Sequence, residues 1–156
     1  MKILVSIPNT GHIHKLVSLS TNKLLCDKDH DVRIIYPTNN PYENNLHHIV
    51  NEFMDGDCDF WLNIDSDNPP INNPLGLVQF DLDIVGLPTP VWHFTGKNKG
   101  ERPVYENAYK YVPSKDAYRE WPIRKGLQKV DAVGTGCILI ARRVFESSDM
   151  REAPFQ

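Results

Sequence analysis

"WLNIDSDNPP", residues 61–70, decides how the rest of the chain is read. An apolar run ends on two carboxylates, Asp65 and Asp67, separated by one serine, and Pro69 and Pro70 follow almost at once. Proline fixes φ and has no N–H to give to a ladder, so an inner strand stops there. In an extended strand alternate side chains share a side, so Asp65 and Asp67 are expected to point together with Ser66 opposite. Like charges at that spacing repel unless a cation lies between them. A hard divalent ion, taking carboxylate oxygens and leaving positions for water and phosphate oxygens, is the usual solution. The bland reading is a solvated strand end followed by a turn, since a bare Asp-x-Asp arises often by chance.

Working outward, "KILVSI" (2–7) is short, apolar, β-branched and stopped by Pro8, which predicts a buried strand. From His12 to Cys26 the apolar positions follow mostly a helical period. "VRIIY" (32–36) predicts a second strand, ended by Pro37. The clearest helix follows: Pro41 suits its first turn, Glu43 lies in that turn, and Tyr42, Leu46, Ile49, Val50 and Phe53 trace one face. "FWLNI" is the third strand, "DIVGLP" (83–88) the fourth and "VDAVGTGCILIA" (130–141) the fifth, with a helix starting at "RRVFESS". Residues 92–125 are polar and aromatic without a clean period and read as a long loop or insertion, and the whole chain as one domain. Alternating strand and helix predicts an α/β fold with right-handed crossovers and a mostly parallel central sheet flanked by helices. Ligands in such sheets bind beyond the carboxyl ends of the strands, so 8–11, 37–40 and 65–68 are expected on one rim.

Composition narrows the function classes. The chain has 156 residues, 24% charged and 40% hydrophobic, which is ordinary globular usage. A net charge of −3 gives no support to a phosphate-driven nucleic-acid binder. Three scattered cysteines form no zinc or disulfide pattern and fit a reduced, cytoplasmic setting. "MKILVSIP" is too short for a signal segment, and no apolar run is long enough to span a membrane. "DGDCDF" (55–60) fails as a calcium loop, because Phe60 and Ser66 stand where glycine and glutamate are needed. "PNTGH" lacks the glycine pattern of a dinucleotide-binding turn.

Taken in order, "ILVSIPNTG", "NNLHHIVNEFMDGDCDFWLNIDSDNPP", "DIVGLP" and "VDAVGTGCILIARRVFE" resemble GT-A fold glycosyltransferases of the family-2 type, particularly small phage and bacterial ones. The resemblance covers most of 1–146 except 92–125. It implies a minimal Rossmann-like GT-A fold and transfer from a nucleotide-diphospho-sugar, with a UDP-sugar first and GDP-mannose second, to a carbohydrate or other hydroxyl acceptor. It implies that Asp65 and Asp67 hold Mn2+ or Mg2+ against the donor diphosphate. Pro8, Asn9, Thr10, Tyr36, Thr38 and Asn45 would contact the nucleotide, although the arginine that usually precedes such an asparagine is here Asn44. Gly134, Thr135 and Gly136 would lie beside the transferred sugar, with Trp92 on the acceptor side.

Relatives of this kind continue past an element like Pro154-Phe155 into a segment that carries the usual base, and often a late histidine ligand; this sequence ends at Gln156. A minimal version using other groups, completion by a second subunit and a degenerate chain all fit that ending; Asp131 is a candidate stand-in base and His93 a candidate third ligand, with an ordinary surface role the better bet for each. His12 and His14, on alternate positions of a helix, do not face together. Trp92, Tyr105, Tyr109, Tyr111, Tyr118 and Trp121 could form an acceptor lid or simply pack over the sheet. The expected partners are the donor and acceptor, with no nucleic acid and no membrane span; a homodimer is compatible. The rival class is a nucleotide- or sugar-binding module that has lost catalysis.

Overall fold

The computed structural model describes residues 1–38, 41–92 and 104–147. The chain divides into two compact units, Met1–Gly86 with Thr135–Gln156, and Leu87–Gly134.

The first unit is built on a five-stranded sheet. Its strands are β1 (Lys2–Ser6), β2 (Asp31–Ile35), β3 (Phe60–Ile64), β4 (Ile84–Gly86) and β10 (Cys137–Ala141), in the order β2-β1-β3-β10-β4. Helix α1 (Lys15–Leu24) connects β1 to β2, and α2 (Tyr42–Asp55) connects β2 to β3. β1 pairs in parallel with β2 and β3, whereas β10 runs antiparallel to both β3 and β4. The α/β class therefore holds, but the expected mostly parallel sheet does not: the sheet is mixed. The physical reason is the return of the chain. The two crossover helices force parallel pairing among the first three strands, whereas β10 arrives after the second unit and inserts between β3 and β4 in the opposite direction.

All five residues of β3 are buried. One face packs into a cluster of Leu4, Ile49, Val50, Phe53, Cys58, Trp61 and Phe145. The Phe53 and Phe145 rings meet edge to face at 5.9 Å, and Trp61 lies 5.7 Å from Phe145. Each such side chain contributes roughly 1.5–3 kcal/mol on burial. Arg142, first residue of α3 (Arg142–Phe145), ties this core to the end of α2. Its guanidinium donates to the carbonyls of Phe53, Gly56 and Cys58, and it stacks 4.7 Å over the Phe53 ring. These carbonyls have no partner within the helix, so one cation caps several of them.

The second unit holds β5 (Pro90–Trp92) paired antiparallel with β6 (Val104–Glu106). It also holds a three-stranded antiparallel sheet in the order β8-β7-β9, from β7 (Ala108–Val112), β8 (Ala117–Glu120) and β9 (Ala132–Val133). Much of the stretch expected as a loop is thus strand, and Ala132–Val133, read as the start of the fifth strand, belongs to a separate sheet.

Candidate functional site

The carboxyl ends of β1, β2 and β3 lie at one end of the first unit, because Ser6 is level with both Ile35 and Asn63. The backbone then draws the three following segments together. Asn9 donates its N–H to the Pro37 carbonyl at 3.0 Å, and His14 donates its N–H to the Ser66 carbonyl at 2.8 Å. The expected rim is therefore present for residues 8–11, 37–38 and 65–68.

Asp65 and Asp67 are not on a strand. β3 stops at Ile64, and the Asn68 N–H donates to the Asp65 carbonyl at 3.3 Å, closing a turn. Strand alternation cannot align the two carboxylates; the turn presents them instead, with Asp65 half-buried and Asp67 exposed. Burial pushes the Asp65 carboxyl above the usual aspartate range, the neighbouring Asp67 charge adds to this, and a hydrogen bond from Asn63 opposes it. Neither carboxylate has an ion-pair partner among the described residues. Two uncompensated carboxylate groups, one in a partly desolvated position, fit a hard divalent cation that takes its other oxygens from water and ligand phosphates. Among the described residues no third acid, histidine or cysteine joins them. His93 lies outside the described residues, and of Trp92 only the backbone, at the end of β5, is described.

What fixes the turn is a buried polar chain that the sequence reading passed over. Asn63 interrupts the apolar run of β3 and is 1% exposed. Its Oδ1 accepts from Ser6 Oγ at 2.8 Å, its Nδ2 donates to the Thr135 carbonyl at 2.9 Å, and Ser6 Oγ accepts from Trp61 Nε1 at 2.8 Å. The Asp65 N–H donates to the Gly136 carbonyl at 2.9 Å. Buried polar groups persist when every member is paired, and this chain pairs each of them. The signal was an asparagine inside a strand otherwise made of large apolar residues.

Tyr42, at the first turn of α2, lies near Asp65. Burial and then the Asp65 charge push its phenol up to about 12, so at neutral pH it is a hydrogen-bond donor. Cys137 is pushed to about 12 by burial and the same carboxylate, and it remains a thiol, not a nucleophile.

The other expected residues divide by exposure. Tyr36, Thr38 and Thr10 are open at the rim. Pro8 and Asn9 are buried. The Asn9 side chain works internally: Nδ2 donates to the Ile7 carbonyl at 3.1 Å, and Oδ1 accepts from the Gly11 N–H at 2.9 Å. That small turn needs Gly11, whose φ is +100°. Asn45 is buried within α2. Thr135 is exposed and Gly136 buried beside the turn. Gly134 belongs to the second unit, where a Cβ would fall 1.9 Å from Asn107 Nδ2. Its absence of side chain is explained by that packing. Asp131, also in the second unit, accepts from the Tyr111 N–H at 2.9 Å and from Lys110 Nζ at 3.3 Å. The Tyr111 bond and then Lys110 hold its carboxyl below the usual range. It is poorly suited to remove a proton. His14 caps α1, its Nδ1 accepting from the Leu16 N–H at 3.3 Å, and His12 is exposed.

No protein-family model matches the chain. No curated protein matches it either. Among solved structures it is similar to A197 from STIV, a protein of an archaeal virus, at 19% identity, over 94% of this chain and 68% of that one, with a TM-score of 0.54. That likeness shows the fold alone. The resemblance to family-2-type GT-A glycosyltransferases is therefore corrected. No family model supports it, and the sheet is mixed where a plain GT-A core was expected. The motifs that carried it, a strand-end Asp-x-Asp and proline-stopped apolar runs, are each common in α/β chains.

Proposed function

We propose that the chain is a metal-dependent glycosyl transferase acting on a nucleotide-diphospho-sugar, a UDP-sugar first and GDP-mannose second, with a hydroxyl group as acceptor. One observation carries the proposal: the Asp65–Asp67 turn at the shared rim of β1, β2 and β3, held by the Asn63 chain and lacking any protein cation among the described residues. Ligands of parallel strands collect at that rim. A bound Mn2+ or Mg2+ would neutralise the charge that builds on the departing nucleoside diphosphate. The chain's own part is to fix the two carboxylates by backbone and Asn63 hydrogen bonds, to offer the Tyr42 hydroxyl as a donor near Asp65, and to leave Tyr36, Thr38 and Thr10 open for a base and ribose.

A second reading, a nucleotide- or sugar-binding module without turnover, is favoured by the tied-up carboxylate of Asp131. Release of nucleoside diphosphate from UDP- and GDP-sugars in the presence of Mn2+ separates the two. Sustained release, lost in Asp65→Asn, supports the transferase. Metal-dependent binding without release supports the module.

A further inference from the structure

The second unit carries a charge bias that the whole-chain value conceals. Between residues 107 and 134 there are six lysines and arginines against three acids, a net +3 inside a chain of net −3. Two of the acids are used internally. Asp131 accepts from Lys110 and the Tyr111 N–H, and Asp116 accepts from the Tyr111 hydroxyl. Of the six cations, only Lys110 has an ion-pair partner among the described residues. Lys115, Arg119, Arg124 and Lys125 have no ion pair among the described residues. Such asymmetry within a chain is one feature of polyanion-binding surfaces.

The β7–β8 hairpin sets one of these cations, Arg119, beside open rings, with Lys115 in the connecting turn. β8 is an edge strand, and all four of its residues are exposed. Lys110 lies opposite Arg119, and Trp121 continues the pairing by donating its N–H to the Ala108 carbonyl at 2.8 Å. Alternate positions share a face, so Lys110, Arg119 and Trp121 lie together. Lys110 Nζ stands 6.0 Å from the Trp121 ring centre. Like charges directly opposite in a sheet are destabilising, and Asp131 offsets only Lys110. A polyanion laid along this face would remove the cost. On the opposite face Tyr111 and Tyr118 pair with ring centres 5.4 Å apart. Tyr118 is 59% and Trp121 40% exposed, so flat ring surface is open on both faces.

We propose that the β7–β8 hairpin is a docking surface for single-stranded nucleic acid, with phosphates on Arg119 and the basic residues that flank it in sequence and an unstacked base on Trp121. Basic grooves interleaved with exposed aromatics bind single strands in this way, because every base has a face to stack and every nucleotide a charge. A duplex hides its base faces, a neutral glycan has no use for four unpaired cations, and an acidic polysaccharide matches the charge without the bases. The inference stands independently of the transferase reading.

The test is fluorescence anisotropy of a labelled oligothymidylate titrated with the full chain at stepped salt. Log affinity should fall linearly with log salt, by about 0.7 per neutralised phosphate, giving a slope of about −2 to −3 for three or four contacts. Arg119→Glu should lower both affinity and slope. Trp121→Leu should weaken binding about tenfold or more while Trp121→Tyr, which keeps a ring, retains it. Circular dichroism establishes that each variant is folded. Absence of binding at low salt overturns the proposal. So does indifference to Trp121→Leu, equal affinity for heparin, a preference for duplex DNA, or binding to anionic phosphatidylglycerol vesicles with none to the oligonucleotide.

Discussion

The Asp65 N–H donates to the Gly136 carbonyl at 2.9 Å, and two residues earlier in the chain, Asn63 Nδ2 donates to the Thr135 carbonyl at the same distance. The acidic turn is therefore stitched to the segment that enters β10, the strand that makes the sheet mixed. The candidate site and the departure from a parallel sheet share one set of hydrogen bonds.

If the two carboxylates hold a divalent ion, Asp65→Asn and Asp67→Asn should each lower Mn2+ affinity by at least tenfold with little change in melting temperature. Asparagine keeps the shape and removes the charge. Wild-type Mn2+ affinity in both variants, measured by calorimetry, would end the metal assignment.

The raised Asp65 carboxyl gives a pH signature. Metal requires the ionised form, so affinity should decline as pH falls through the Asp65 value, at a pH above that of an ordinary aspartate. The sign for stability is opposite. A carboxyl whose folded-state value is raised binds its proton more tightly when folded, so without metal this group favours the fold as pH falls through that value and the advantage is complete below the unfolded value. Asp65→Asn should abolish this contribution. An Mn2+ profile with a midpoint in the ordinary aspartate range would contradict the argument.

Asn63→Leu should cost about 1–3 kcal/mol, because Ser6 Oγ and the Thr135 carbonyl lose a buried partner. It should also weaken metal binding while leaving both carboxylates in place. Urea unfolding and Mn2+ titration read the two effects, and a metal affinity unchanged by the variant would mean that the chain does not position the turn.

Arg142→Lys should destabilise by about 2–3 kcal/mol, since an ammonium cannot fork across the carbonyls of Phe53, Gly56 and Cys58. Nucleotide and metal binding should survive under conditions where the variant is folded. A melting temperature equal to wild type would show that the capping role is dispensable.

Much of the first unit was legible in the sequence. Short apolar runs stopped by Pro8 and Pro37, and the helical stripe from Tyr42 to Phe53, gave β1, β2 and α2 within a few residues. The direction of β10 was not legible. "CILIA" is apolar throughout because a central strand is covered on both faces, and that pattern is the same whichever way the strand runs. The hairpin of residues 108–120 was missed because both of its faces are largely open, so "AYKYV" and "AYRE" show no clean alternation. At the site, the acids were visible, but their geometry was misread as a strand, and Asn63 drew no attention because it bears no charge. Asp131 looked like a free acid only because its partners, Lys110 and the Tyr111 N–H, come from a neighbouring strand.

The measurement that bears most directly on the account is calorimetric titration of the folded chain with UDP and with GDP, each with and without Mn2+. The account predicts that one nucleotide, UDP first, binds only when Mn2+ is present, and that Asp65→Asn removes the heat. No binding of either nucleotide with metal, by a chain shown to be folded, would contradict it and leave the Asp65–Asp67 turn without a ligand-binding role.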